Sequence, residues 1–196
     1  MPRSTTMTVA AFAAIAACAI AAPAASQVVT TAGGDVVSTA QKHLLDNLIT
    51  IDSIQAATAK LAATKTENAA VRDFANSLAA DHTTHAGALQ KIADKKDVGR
   101  EPDSGNKLAT EFASRYTALE SMPAGAGFDR AFLQAVVANH QAEISAINSG
   151  KTSAGDEDLK KDLGQTVGGL QSHVTRANEL AATLEKGGAA PAKPPL

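Results

Sequence analysis

The chain has 196 residues, of which 44% are hydrophobic and only 3% aromatic, and a formal net charge of −2 at pH 7. That length fits one domain once a processed leader is allowed for, and an alanine-rich, aromatic-poor make-up disfavours sheets, which draw on β-branched and aromatic side chains. The charge is near zero and no Lys/Arg cluster is interleaved with aromatics, which excludes the electrostatic footprint of a nucleic-acid binder.

Residues 1–26 read as an export signal. "MPRSTTMT" carries a single cation, Arg3, then "VAAFAAIAACAIAA" is apolar, and "PAAS" supplies small residues. This is the three-part order of a bacterial signal peptide, and the apolar run is short for a membrane-spanning helix. Cleavage after Ala24, Ala25 or Ser26 is the preferred reading. The alternative is a lipoprotein signal, "IAAC", with Cys18 acylated as an anchor, although the usual leucine is absent. Cys18 is the one cysteine, so the mature domain has no disulfide and no thiolate chemistry. The expected location is the periplasm or envelope, with no transmembrane span in the mature domain.

After a leader at 27–34, a first long helix is expected over 35–64. Val37, Ala40, Leu44, Leu48, Ile51, Ile54, Thr58 and Leu61 recur at steps of three and four. "TKTEN" interrupts, with Thr66 the expected N-cap of the next helix. That second helix, 67–96, carries Val71, Phe74, Leu78, His82, His85, Leu89 and Ile92 in one unbroken phase. The charged loop "DKKDVGREPDSG" follows, then a shorter helix at 105–121 and the breaker "MPAGAG". A third long helix opens near 128, with Phe128, Phe132, Val136, His140, Glu143 and Ile147 in line. After "SGKTSAG" a fourth covers 156–186 along Leu159, Leu163, Val167, Leu170, His173, Ala177, Leu180 and Leu184. Gly168 and Gly169 fall inside it and suggest a close helix approach. The Gly/Pro-rich tail 187–196 has the composition of a disordered segment. No alternating strand pattern occurs.

Four long helices, with the longest connection between the second and third, predict an all-α, ferritin-like four-helix bundle over 35–186. Short turns make the first pair and the last pair antiparallel. The long connection, with its own short helix, lets the second and third helices run parallel. An internal echo fits: "HTTHAGAL" at 82–89 and "HVTRANEL" at 173–180 match at four of eight positions, as in a duplicated helical hairpin.

The segments "VRDFANSLAADHTTH" (71–85), "GFDRAFLQAVVANHQAEI" (127–144) and "LQSHVTRANEL" (170–180) resemble the DUF4142 family of exported, ferritin-like bacterial proteins. The resemblance covers about 35–185 and implies fold and exported location; it implies no activity. Members commonly carry a mid-helix Glu in the first helix, where this chain has "IDSIQAA", and a Tyr where Phe132 stands here.

The histidines are the chemistry to explain. Di-iron ferritin-like centres need Glu-x-x-His on two helices and a carboxylate on each of the others. This chain offers His82-x-x-His85, His140-x-x-Glu143 and His173-x-x-Arg176. The spacing suits a shared helix face, but the bridging carboxylates are missing and Arg176 would repel a metal, so a degenerate di-iron oxidase is disfavoured. A mononuclear divalent site for zinc, copper or iron could draw on His82, His85, His140, Glu143 and His173, with Asp81 as an outer partner. The preferred reading is plainer. The histidines form a buried polar cluster, with Asp81, Glu143 and Gln141 as partners, that specifies register in a non-enzymatic structural or interaction domain of the envelope with an unknown protein partner.

Overall fold

The structure is a computed structural model that describes residues 39–95, 106–150 and 157–187. The expectations for 1–26, 27–34, Cys18 and the tail beyond Gly187 lie outside the described residues. Five helices follow one another: α1 (Thr39–Lys65), α2 (Ala69–Lys95), α3 (Lys107–Ser121), α4 (Ala126–Gly150) and α5 (Glu157–Glu185). No strand occurs among the described residues, so the chain is all-α there. No described helix is long and apolar enough to cross a membrane.

The boundaries have local causes. Asn68, not Thr66, caps α2: its Oδ1 accepts from the N–H groups of Ala70 and Val71, which have no partner inside the first turn of a helix. Thr66 instead accepts from the Asn68 N–H through its hydroxyl and so shapes the turn. Asn106 caps α3 the same way, accepting from the Ala109 N–H at 3.0 Å. The far end of α3 is held by Lys65, whose ammonium donates to the carbonyls of Leu119, Glu120 and Met122. A cation there also complements the negative end of the helix dipole. Gly125, at φ +118°, supplies the carbonyl that accepts from the Asp129 N–H at the start of α4, a backbone angle that L side chains rarely adopt. Gly187, at φ +67°, ends α5.

Packing follows from which ends share a core. α1 lies along α2 and α4 along α5, while α3 bridges α1 and α4. One apolar cluster joins Ala59 and Ala62 of α1, Val71 to Ala79 of α2, Phe128 to Val136 of α4, and Ala177 and Leu180 of α5. A second joins Leu45, Leu48 and Ile49 of α1, Leu89 and Ala93 of α2, Ile147 of α4, and Leu159, Leu163 and Leu170 of α5. The start of α2 therefore sits with the start of α4 and with the ends of α1 and α5. α1 and α2 are antiparallel, α4 and α5 are antiparallel, and α2 and α4 run parallel.

Two details differ from the sequence pattern. The inward line of α1 is Leu45, Leu48, Asp52, Gln55, Ala59 and Ala62, all buried, whereas Leu44, Ile54 and Leu61 are half-exposed. Leu48, Ile51 and Thr58 of the expected stripe are buried, while Leu44, Ile54 and Leu61 each stand one position from the buried line, which contains two polar residues and two alanines. Gly168 and Gly169 are exposed, and a Cβ at either would meet nothing within 4 Å. No close helix approach requires them.

Candidate functional site

Between the two apolar clusters lies a polar layer, built at mid-length of the four long helices. α1 contributes Asp52 and Gln55, α2 contributes His82 and His85, α4 contributes His140 and Glu143, and α5 contributes His173. Asp52, Gln55, His82, His140 and Glu143 are each at most 5% exposed. Buried polar groups of this kind require internal partners, and the partners here sort into two halves.

In the first half three imidazoles face one another. The ring centroids of His82 and His140 are 5.2 Å apart, those of His140 and His173 5.2 Å, and those of His82 and His173 5.7 Å. One ring nitrogen from each lies within 4.8 Å of the other two. His140 Nε2 and His173 Nδ1 are 3.1 Å apart. Carboxylates hold two of the rings from outside. His82 Nδ1 donates to Asp52 Oδ1 at 2.8 Å, and His173 Nε2 donates to Asp81 Oδ2 at 3.1 Å. In a neutral ring each of these bonds fixes the tautomer, leaving lone pairs on His82 Nε2 and His173 Nδ1, the latter accepting from His140 Nε2. His82 Nε2 is buried with no hydrogen-bond partner. Burial, reinforced by repulsion from His82 and His173, holds the His140 imidazole well below the ordinary histidine range. Burial and the His82 charge likewise lower His173, against the opposing pull of Asp81. Both rings are therefore neutral at neutral pH.

In the second half His85 is a cation. Its Nδ1 is 2.7 Å from Asp52 Oδ2, and its Nε2 is 3.1 Å from Asp162 Oδ2 and 2.9 Å from the Thr166 hydroxyl. Burial disfavours its charge, but the hydrogen bonds to Asp162 and Asp52 outweigh burial and push its pKa up to about 10. Burial alone would raise Asp52. The hydrogen bonds from His82 and His85 override this and bring its pKa below the usual carboxylate range. Glu143 goes the other way: burial, with the Asp52 charge beside it, raises it to about 7. Gln55 Nε2 donates to Glu143 Oε2 at 2.6 Å, while Oε1 is buried without a hydrogen-bond partner.

Of the candidates from the sequence, the fold thus converges His82, His140 and His173 on one point. His85 and Glu143 lie in the same layer but face other partners, and Asp81 stands behind His173. Arg176 pairs with Glu179 at 3.0 Å, which offsets part of its charge. Gln141 is exposed, and Gln55 serves in its place. Sequence reasoning missed Asp52, Gln55, Asp162 and Thr166 as members of the site. The signal for the first two was present, as polar residues at a three-residue spacing on the inward face of α1. Asp162 and Thr166 each sit one residue before a member of the α5 stripe, Leu163 and Val167, and gave none.

The neutral His140 and His173 rings can take a cation once the proton held between His140 Nε2 and His173 Nδ1 moves to the unpartnered His140 Nδ1. The arrangement can also store charge asymmetrically, with the protonated His85 and an ionised Asp52 on one side and the neutral His140 and His173 rings on the other. No curated protein and no solved structure shows significant similarity to the chain. The domain of unknown function DUF4142 matches residues 26–180, most of the sequence and all of the layer just described. The chain therefore belongs to the DUF4142 family.

Proposed function

We propose that the protein binds one divalent transition metal through His82, His140 and His173. The observation that carries this is the convergence of three imidazole nitrogens within 4.8 Å, with His82 and His173 each backed by a carboxylate. Zinc, copper and iron all accept imidazole, and metal-bound histidines are commonly oriented by a carboxylate on the far nitrogen. Nitrogens around a tetrahedral metal at about 2.0–2.1 Å stand roughly 3.4 Å apart. The His140–His173 separation of 3.1 Å is close to that, and the His82 nitrogen lies within 4.8 Å of both. Asp52 and Asp81 are the positioning residues in this reading. Asp52 also separates the metal ligands from the His85 cation.

The same proposal takes the fold to be a ferritin-like four-helix bundle, supported by the antiparallel pairs, the parallel α2 and α4, and the long 96–125 connection that contains α3. It places the protein in the bacterial periplasm or envelope, supported by the signal-like residues 1–26, with Cys18 lipidation as the alternative. Mass analysis of the mature N-terminus distinguishes those two.

Calorimetric titration of the apo-protein with zinc tests the metal reading. One site per chain is expected, abolished in His82→Ala, His140→Ala and His173→Ala and retained in His85→Ala, with helical content by circular dichroism as the control for folding. Zinc binding unchanged in the three variants, or lost only in His85→Ala, overturns the assignment. If folded wild-type protein binds no zinc, copper or iron, the layer is a register-setting polar plug in a structural or interaction domain, as the plainer sequence reading has it.

A further inference from the structure

The three histidines leave a tetrahedral metal one ligand short, and the protein offers nothing committed to the fourth place. Asp52 has each oxygen against a histidine. Asp81 is engaged by His173 and Asp162 by His85. Glu143, the remaining carboxylate of the layer, accepts from Gln55 through Oε2, and although its Oε1 has no partner it is not among the groups that converge on the point. On the α2–α5 side, by contrast, the layer is open. α2 and α5 touch only sparsely, and a cleft of about 340 Å³ between them reaches His82 and His173, bordered by Thr84, Gln165 and Gly169 and by the carboxylates of Asp52, Asp81 and Asp162, each paired with a histidine. Gly169 accounts for part of that opening. It is exposed, and a side chain there would project into empty space, since nothing lies within 4 Å of the position its Cβ would take.

We infer that the fourth position of the metal faces the α2–α5 cleft and takes an exchangeable small anion, which makes the centre a ligand-binding site and not a closed structural one. The inference rests on the metal reading above. Three neutral imidazoles leave the full charge of a divalent ion uncompensated, and an open position on such an ion takes water or an anion. Thr84 and Gln165 offer a hydroxyl and an amide at the cleft wall for the outer atoms of a small ligand. Gly169 has no helix-packing role, and this gives it another: it keeps that part of the cleft wall free of a side chain.

The test uses the full chain loaded with Co(II), whose visible bands report the coordination sphere, titrated with azide. The wild type is expected to show a saturable azide-dependent change in those bands. Gly169→Leu fills the cleft and replaces no ligand, so it should bind one Co(II) per chain with its azide affinity weakened tenfold or more. Bands that ignore azide in the cobalt-loaded wild type overturn the inference while the metal reading survives. In that case Glu143→Gln distinguishes a glutamate fourth ligand, because azide sensitivity would then appear in the variant. An azide response in Gly169→Leu equal to that of the wild type also overturns it, since the position would open elsewhere. No cobalt bound at all sinks the metal reading and this inference with it.

Discussion

Asp52 ties the layer together. It is 0% exposed and is the single acceptor shared by His82 and His85. Removing one partner of a buried, hydrogen-bonded charge cluster leaves the others uncompensated, at a cost of about 3–5 kcal/mol. Asp52→Asn should therefore lower unfolding stability at neutral pH by about 3 kcal/mol, measured by urea denaturation, and a loss under about 1 kcal/mol would contradict the described pairing. His85 sets a pH dependence of definite sign. Its pKa is raised from 6.5 to about 10 on folding, so the folded state binds the proton more tightly. Its contribution is fully present below pH 6.5 and is lost as pH rises toward 10. Stability should fall across that window, and the fall should flatten in His85→Gln. A wild-type profile that is level between pH 7 and 10 would mean that the imidazolium between Asp52 and Asp162 does not form.

At the scale of the helix, the caps and stripes divide into what the sequence shows openly and what it hides. The α2 stripe was legible because Val71, Phe74, Leu78 and Leu89 are bulky and the two histidines keep their phase. The α1 stripe was legible only in part, at Leu48, Ile51 and Thr58. Its inward positions include Asp52, Gln55, Ala59 and Ala62, while larger residues such as Ile54 and Leu61 lie at the margin. Volume drew the eye one position away from the buried line, and with it away from the carboxylate that organises the site. Capping failed for a similar reason, because Thr66 and Asn68 are both good N-cap types and only the hydrogen bonds separate them. Asn68→Ala should destabilise by about 1 kcal/mol, whereas Thr66→Ala should leave α2 capped and perturb only the turn before it. On α5 the glycines are exposed helix-interior residues with room for a methyl group. Gly168→Ala should stabilise by roughly 0.5–1 kcal/mol, read as a raised thermal midpoint, and a lowered midpoint would point to a backbone role for Gly168 that its surroundings do not show.

At the scale of the whole molecule, a polar layer divides the apolar interior in two. The pseudo-symmetric echo in the sequence has a spatial counterpart there. His82 and His173 meet in the layer, while Leu89 and Leu180, seven residues on in each copy, lie in opposite apolar clusters. A two-fold axis through the layer relates positions in this way. The helix order and the convergence of three histidines were accessible from periodicity and the echo. What each histidine faces was not, because His85 and His82 sit one turn apart on the same helix and their different roles depend on α1 and α5. Fully buried Phe132 anchors the cluster beside the layer and packs against Phe74 with ring centroids 6.5 Å apart. Phe132→Ala should cost about 3–5 kcal/mol, and the loosened wall should weaken metal binding without removing a ligand.

The measurement that bears most directly on all of this is the metal content of the protein taken from its native compartment, without chelator and without a nickel column. About one equivalent of a divalent transition metal per chain, absent from folded His140→Ala, is the predicted result. A folded wild-type protein that carries no metal, and whose thermal midpoint does not move when zinc, copper or iron is added, would contradict it.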